Sequence, residues 1–194
     1  MNKPDIIAAV DPVVKAFEKL GVLYCIGGSV ASSAYGVARA TMDVDMVSNL
    51  KHDHVGSLVE MLKSSYYISE NMILEAIENR SSFNLVHLET MLKVDVFILK
   101  DVSYQQESFR RRRKDTIDEE NESVQLYLVS AEDIILNKLD WYRMCGQESE
   151  RQWSDVLGVI QVQKKRLDRK YLKKWAMELG LLDLLENAFK DADK

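Results

Sequence analysis

Two aspartates separated by one residue, placed shortly after a glycine turn, constrain the fold of this chain more than any other feature. Apolar residues 22–26 lead into Gly27-Gly28-Ser29, and Asp43 and Asp45 follow among methionine and valine residues. Side chains at positions i and i+2 of a β-strand point to the same face, so Asp43 and Asp45 are expected side by side. Neighbouring carboxylates repel each other. We therefore expect a cation between them, and carboxylate ligands favour Mg²⁺ or Mn²⁺.

A third carboxylate lies in a second apolar run. Residues 91–99 are mostly β-branched or apolar, which predicts a buried strand, and Asp95 lies in its middle. A buried ionised carboxylate needs a partner. If this strand lies beside the strand that carries Asp43 and Asp45, Asp95 joins the same acidic cluster.

The glycine turn between the first strand and a short helix can bind an anion. Glycines let backbone N–H groups approach a ligand closely, and a helix N-terminus favours negative charge. Gly28 and Ser29 are therefore candidate phosphate-binding residues. The alternative is a tight turn in which Ser29 serves only as the N-cap of the helix.

These residues resemble a known family pattern. Gly28-Ser29, thirteen further residues, Asp43-x-Asp45 and then Asp95 resemble the nucleotidyltransferase superfamily related to DNA polymerase β. Arg39-x-Thr41-x-Asp43 further resembles the branch that includes tRNA nucleotidyltransferases and the abortive-infection toxin-like nucleotidyltransferases of bacteria. The resemblance covers roughly residues 20–100.

The resemblance implies an enzyme that transfers a nucleoside monophosphate from a nucleoside triphosphate, such as ATP, to an acceptor hydroxyl and releases pyrophosphate. Asp43, Asp45 and Asp95 would be the catalytic residues and the Mg²⁺ or Mn²⁺ ligands. The implied nucleotide-binding residues are Gly28, Ser29, Arg39 and Lys138. The toxin-like branch suggests RNA or a protein as the acceptor, and the sequence leaves a partner protein or a homodimer open.

Lys138 has an alternative interpretation. The segment that holds Lys138, Arg143, Arg151 and Asp155 resembles the tail helices of the toxin-like branch, where such residues face the nucleotide cleft. Charged side chains at the edges of helices can equally lie on the surface.

The predicted fold class is α/β (α+β): a nucleotidyltransferase-like mixed β-sheet with flanking helices, followed by a helical C-terminal subdomain. We expect the catalytic core at 1–129 and the helical subdomain at 130–194, where the apolar period changes to that of helices. The first helix is expected at 5–19, with Pro12 as a candidate break. The last strand is expected at 124–129.

Charge and composition narrow the function classes. A net charge of −5 argues against a protein that coats nucleic acid through its overall charge, but it does not exclude a local basic channel. The basic run Arg110–Lys114 is interpreted either as a helix end neutralised by the acids that follow it, including Glu119 and Glu120, or as an edge of the cleft. Two cysteines and no apolar run long enough to cross a membrane predict a cytoplasmic protein.

Two alternative functions stay open at this point. One is a catalytically inactive nucleotide-sensing or protein-interaction module on the same fold. The other is a metal-dependent phosphohydrolase, but that class is expected to place histidines in the acidic cluster. The histidines here are His52, His54 and His87, and none lies near the acids in sequence.

Overall fold

The strands form one mixed β-sheet. The computed structural model describes residues 3–116 and 125–194, and their strands pair into a seven-stranded sheet in the order β3-β4-β5-β2-β1-β7-β6. Strands β2 and β5 are parallel, as are β1 and β7, and the other neighbours are antiparallel. The strands are β1 Tyr24–Ile26, β2 Asp43–Ser48, β3 Tyr66–Tyr67, β4 Ser82–His87, β5 Lys93–Ile98, β6 Arg113–Thr116 and β7 Gln125–Leu128.

Helices flank this sheet and follow it. Helix α1 runs unbroken through Pro12, so the break predicted there is wrong. The 3₁₀ turn His52–His54 leads directly into α3. The helices are α1 Lys3–Leu20, α2 Gly28–Tyr35, α3 Val55–Leu62, α4 Glu70–Glu78, α5 Ser103–Arg110, α6 Ala131–Met144, α7 Glu150–Gln163, α8 Arg169–Leu179 and α9 Leu182–Ala192.

The two faces of the sheet contribute to two different apolar cores. Alternate residues such as Val44 and Met46 pack with α1, α3 and α4 in the first core. Cys25, from the opposite face of β1, packs with α6–α9 in the second core, and Val47 contacts that core. Since Asp43 and Asp45 share the face of Val47, the alternation of β2 directs them toward the C-terminal helices.

The second core includes residues from both sides of the predicted domain boundary. Cys25 and Ala31 belong to it together with the apolar faces of α6–α9. The boundary at 129/130 stays a prediction, since the two regions share this core. The C-terminal helices nevertheless form as a consecutive helical block from Ala131 onward, in agreement with the change of apolar period.

Strand β6 was not predicted from the sequence. It is an edge strand that pairs only with β7 in the described sheet, and its residues include Arg113, Lys114 and Asp115. Charged residues are common on edge strands because they discourage pairing with another chain, and they conceal the alternating apolar pattern. The acids Glu119 and Glu120 lie outside the described residues, as does the first residue of the predicted last strand.

Two further expectations concern the state of the cysteines and the presence of a helix that could cross a membrane. In the described part of the chain both cysteines are free, with Cys25 buried and Cys145 exposed. Burial raises the pKa of the Cys25 thiol to about 12, as expected of a packing residue. Within residues 3–116 and 125–194, no helix combines the length and the apolar character needed to cross a membrane.

Candidate active site

The register of two parallel strands brings the three aspartates to one face of the sheet. Strand β2 pairs with β5 so that Asp45 lies opposite Asp95 and Asp43 lies opposite Lys93. Neighbouring strands are about 4.8 Å apart, so the carboxylates of Asp45 and Asp95 project from adjacent backbones. The sequence predicted this juxtaposition on the condition that the two strands are neighbours, and the structure meets that condition.

The cluster is electrostatically unfavourable for Asp45. Burial and the nearby charges of Asp43 and Asp95 raise the pKa of Asp45 to about 6, although Lys138 and Lys93 act in the opposite direction. A carboxylate whose ionisation costs free energy gains the most from a bound cation. The donor set is entirely carboxylate oxygen, which suits Mg²⁺ or Mn²⁺.

The other two aspartates already have polar partners. The Thr41 hydroxyl donates to Oδ1 of Asp43 at 2.7 Å. Lys93 Nζ lies 2.8 Å from Oδ2 of Asp95. Among the residues that the structure describes, no group of three His, Cys, Asp or Glu side chains is already arranged as metal ligands. The three carboxylates share one face and are the ligand type that a hard cation prefers, and the ammonium group of Lys93 pairs with Asp95 on that face.

Gly28 packs directly against Asp45. Its φ is +53°, and a Cβ atom added there would lie 1.7 Å from Oδ2 of Asp45. The backbone amide of Gly27 donates to the carbonyl oxygen of Asp45 at 2.8 Å. Only glycine combines this positive φ with so close an approach, so Gly28 holds the start of α2 against the acidic cluster.

The N-terminus of α2 is not capped by Ser29. The N-cap is Gly27, which has no side chain to satisfy the first N–H groups of the helix, so the interpretation of Ser29 as N-cap is wrong. The Ser29 hydroxyl instead accepts a hydrogen bond of 2.6 Å from Nη2 of Arg39. Ser29 and Arg39, both predicted from the motif, are thus brought together beside the glycine turn.

Asp155 links Arg39 to Lys138. Arg39 donates from Nε and Nη2 to the two carboxylate oxygens of Asp155, each at 2.7 Å. Lys138 Nζ donates to Oδ2 of the same carboxylate at 2.7 Å. Burial alone would raise the pKa of Asp155, but the hydrogen bonds and charges of Arg39 and Lys138 outweigh it and lower that pKa. Asp155 stays ionised and holds two cations near Ser29.

The environment of Lys138 argues against its interpretation as a surface charge. Its side chain is 7% exposed and its ammonium group is paired inside the structure. Arg143, from the same predicted segment, lies elsewhere: it pairs with Asp140 and donates to the carbonyl oxygen of Leu179 at 2.7 Å. The segment therefore contributes Lys138 and Asp155 to the site without Arg143.

The sequence missed Lys93 as a member of the site. Because it alternates with Val94 on β5, Lys93 shares the face of Asp95, and this spacing could have identified it. The hydrogen bond to Asp95 raises the pKa of Lys93, which keeps the ammonium group charged. Asn84 lies opposite Asp95 on the other neighbouring strand, β4.

Two of the three histidines, His54 and His87, have structural partners. His87 is buried, its Nδ1 lies 2.9 Å from the Thr90 hydroxyl, and its ring contacts that of Tyr66. His54 Nδ1 accepts a hydrogen bond from the backbone amide of Lys51. These contacts agree with the expectation that the histidines stay out of the acidic cluster.

Comparison by sequence gave no assignment: no protein-family model matches the chain, and no curated protein matches it. Comparison by structure identifies the fold. An antigenic nucleotidyltransferase-like protein from Paracoccidioides brasiliensis matches with a TM-score of 0.56 and 17% identity, covering 98% of this chain and 94% of that one. The lincosamide antibiotic adenylyltransferase LnuA, solved with lincomycin, matches with a TM-score of 0.53 and 14% identity, covering 84% and 98%.

A third similar structure is the antibiotic-resistance factor ANT(2'')-Ia, with a TM-score of 0.52, 12% identity, and coverage of 99% of this chain and 97% of the other. The named structures are nucleotidyltransferases or resemble them, and they cover from 84% to 99% of this chain. They do not test the narrower resemblance to the toxin-like branch, which stays a prediction. The fold predicted from the glycine turn and the three aspartates is confirmed: this chain has the fold of the nucleotidyltransferase superfamily.

Proposed function

We propose that this chain transfers a nucleoside monophosphate from a nucleoside triphosphate to an acceptor hydroxyl. The observation that carries the proposal is the register of β2 and β5, which puts Asp45 beside Asp95 on the face that Gly28 approaches. The nucleotidyltransferase fold supports it independently. Metal dependence, the choice of nucleotide and the acceptor all belong to the proposal.

The proposed reaction is a single displacement at the α-phosphorus. The acceptor oxygen forms a bond to the α-phosphorus, the bond from that phosphorus to the oxygen bridging to the β-phosphate breaks, and pyrophosphate leaves. Asp95 orients the attacking hydroxyl and accepts its proton, which passes to solvent. Mg²⁺ or Mn²⁺, held by Asp43, Asp45 and Asp95, would supply neutralisation of the triphosphate charge.

The remaining residues bind and orient the triphosphate. Backbone N–H groups at Gly28 and the Ser29 hydroxyl would contact the β- and γ-phosphates at the start of α2. Arg39 and Lys138 would add positive charge, because both side chains converge on Asp155 next to Ser29. Asp155 is a positioning residue in this scheme: it fixes two flexible cations before the nucleotide arrives.

The direct test follows the α-phosphate. The wild-type chain is incubated with Mg²⁺, total cellular RNA and protein, and each of the four nucleoside triphosphates labelled at the α-phosphate. A parallel reaction replaces RNA and protein by lincomycin, because the similar structure LnuA contains that small molecule. We expect label to move to one acceptor class with wild type and not with the Asp43→Asn/Asp45→Asn variant. Equal transfer by both proteins would contradict the assignment.

One observation favours the inactive nucleotide-sensing module as a second candidate. Lys93 already neutralises Asp95, so the third acid has a partner without any metal. This candidate predicts that the chain binds a nucleoside triphosphate without transferring the α-label to any acceptor. The substitution Lys93→Met removes this cation and separates the two functions. A sensor with this substitution would bind the nucleoside triphosphate more weakly. An enzyme with this substitution would still transfer the α-label.

A further inference from the structure

A second charged region lies outside the candidate active site. Residues 164–174 contain seven cations and one carboxylate, a net charge of +6. Because the whole chain carries −5, the remainder carries −11. We name the exposed cations of this segment the basic surface: Lys164, Lys165, Arg166, Arg169, Lys170, Lys173 and Lys174.

Packing holds the basic surface outward. Leu167, Leu172 and Trp175 are buried, whereas all seven cations of the basic surface are exposed. The Arg169 guanidinium lies 4.1 Å from the centre of the Phe189 ring, and Lys174 Nζ lies 4.6 Å from the Trp175 ring. In both contacts the charged group itself lies against an aromatic ring, and both side chains remain exposed to solvent.

The basic surface lacks internal counter-ions. Across residues 3–116 and 125–194, none of its seven cations forms an ion pair with a carboxylate. Its own acid, Asp168, accepts hydrogen bonds of 3.0 Å from the backbone amides of Lys170 and Tyr171 as the N-cap of α8. By contrast, Arg39, Arg111 and Lys138 are all paired. A concentration of unpaired cations attracts a polyanion.

The edge strand β6 extends the basic surface. Arg113 lines a cavity of about 320 Å³ together with Arg166, and Asp115 and Glu132 also line it. Arg111, two residues before Arg113, lies over the Tyr171 ring of α8 at 3.8 Å and thereby ties the start of β6 to that helix. The run Arg110–Lys114 is thus divided: Arg110 and Arg111 pair with acids, and the exposed Arg113 lies beside Arg166 of the basic surface.

A groove runs along the basic surface. It has a volume of about 660 Å³ and is lined by Lys164, Lys165, Arg166 and Arg169, with Asp193 as an acidic lining residue. Lys164 follows Asp155 by nine residues at the end of α7. At a rise of about 1.5 Å per residue, the groove therefore starts roughly 14 Å along the helix from the candidate active site.

We propose that the basic surface binds the phosphate backbone of an RNA acceptor. This proposal rests on the proposed function and names the acceptor class of that same reaction. Clustered lysines and arginines without carboxylate partners suit a chain of phosphates. RNA is favoured over DNA because each ribose carries a 2′-hydroxyl, which adds an acceptor group for the transfer.

The test measures RNA binding without nucleotide. Fluorescence anisotropy follows a short, fluorescein-labelled, single-stranded RNA titrated with the full chain at about 50 to 200 mM KCl. The surface variant Lys164→Glu/Arg166→Glu/Lys170→Glu is compared with Lys19→Glu/Lys51→Glu/Lys100→Glu, which changes net charge equally at exposed lysines elsewhere. We expect at least a tenfold loss of affinity only in the surface variant, and a salt slope lower by about 2.

Three results would overturn this proposal. The first is an equal loss of RNA affinity in the two triple variants. The second is the absence of salt-dependent RNA binding by the wild-type chain. The third is tighter binding of oligoglutamate, or of the corresponding DNA, than of RNA by the wild-type chain. Thermal unfolding of both variants verifies that they fold. If the surface variant unfolds, the single variants Lys170→Glu and Lys100→Glu replace the triple variants in the same comparison.

A second readout separates this proposal from the proposed function. The Asp43→Asn/Asp45→Asn variant should bind RNA as the wild type does, because both substitutions lie in the acidic cluster and leave the basic surface unchanged. RNA binding by both proteins without any α-label transfer would support the basic surface and contradict the enzyme. Transfer to lincomycin or protein without RNA binding would support the enzyme and overturn the basic surface.

Discussion

The two faces of β2 and β5 differ sharply although the same strands build them. On one face Val44, Met46, Val94 and Val96 are completely buried under α1, α3 and α4. On the other face the aspartates are partly accessible and surrounded by charged groups. The period of two that every strand has can thus serve stability on one face and chemistry on the other.

This difference explains why the site tolerates little variation in register. A slip of one residue between β2 and its neighbours would carry Asp43 and Asp45 into the apolar core and Val44 and Met46 to the polar face. Buried, unpaired carboxylates would make such a slip costly. The apolar face therefore fixes the position of the acids opposite it.

The largest expected effect is that of a substitution on the polar face, which is the face of β2 and β5 that carries the three aspartates. Asp43→Asn should lower nucleotidyl transfer by about 10²–10³-fold, because it removes one of the carboxylates proposed to hold the cation that neutralises the reacting phosphates. The fold should remain, which circular dichroism can verify. The matched control is Asp53→Asn, the same substitution at an exposed acid in the 3₁₀ turn before α3. Equal activity in both variants would remove Asp43 from the mechanism.

Substitutions on the opposite, apolar face of β2 should change the stability of the protein. Met46→Ala is expected to lower the free energy of unfolding by about 2–5 kcal/mol, because it leaves a cavity in the first core. Met42→Ala makes the same change at a side chain that is 71% exposed, directly before β2, and should cost less than about 0.5 kcal/mol. Urea unfolding measures both. Similar values would mean that the two faces do not divide their roles in this way.

Gly28 connects the polar face to α2. Gly28→Ala is expected to destabilise the protein by about 2–4 kcal/mol and to reduce nucleotide binding, since the methyl group meets Asp45 and φ is +53°. Gly56, inside α3, has nothing within 4 Å of an added Cβ. Gly56→Ala should therefore stabilise by about 0.5–1 kcal/mol. A harmless Gly28→Ala, measured by thermal unfolding and nucleotide titration, would disprove the close approach.

Among the substitutions at the candidate site, the smallest expected effect is a gain of stability. The raised pKa of Asp45, about 6, means that its ionisation destabilises the folded chain. This cost is absent below the pKa of the unfolded state, near 4, and complete above about pH 6. Asp45→Asn should raise the free energy of unfolding by about 1–2 kcal/mol at about pH 8 and by nothing at about pH 4. Destabilisation at the higher pH would contradict the repulsion within the cluster.

Local patterns predicted most of the acidic cluster, and long-range contacts account for what they missed. The apolar alternation around Asp43, Asp45 and Asp95 located both strands, because that pattern depends only on nearby residues. The contact between Arg39 and Asp155 joins residues 116 positions apart, so no local spacing could reveal its geometry. The same limit applies to the approach of Arg113 to Arg166.

Isothermal titration calorimetry measures the affinity for ATP, with and without Mg²⁺, of the wild type and of one variant on each face of β2 and β5. If the polar face of β2 and β5 is a metal-dependent nucleotide site, the wild type and Met46→Ala should bind ATP with Mg²⁺, measured where both are folded. Asp45→Asn should lose at least about tenfold in affinity. If Asp45→Asn binds ATP as the wild type does, or if none of the three proteins responds to Mg²⁺, the assignment of this face to nucleotide chemistry is wrong.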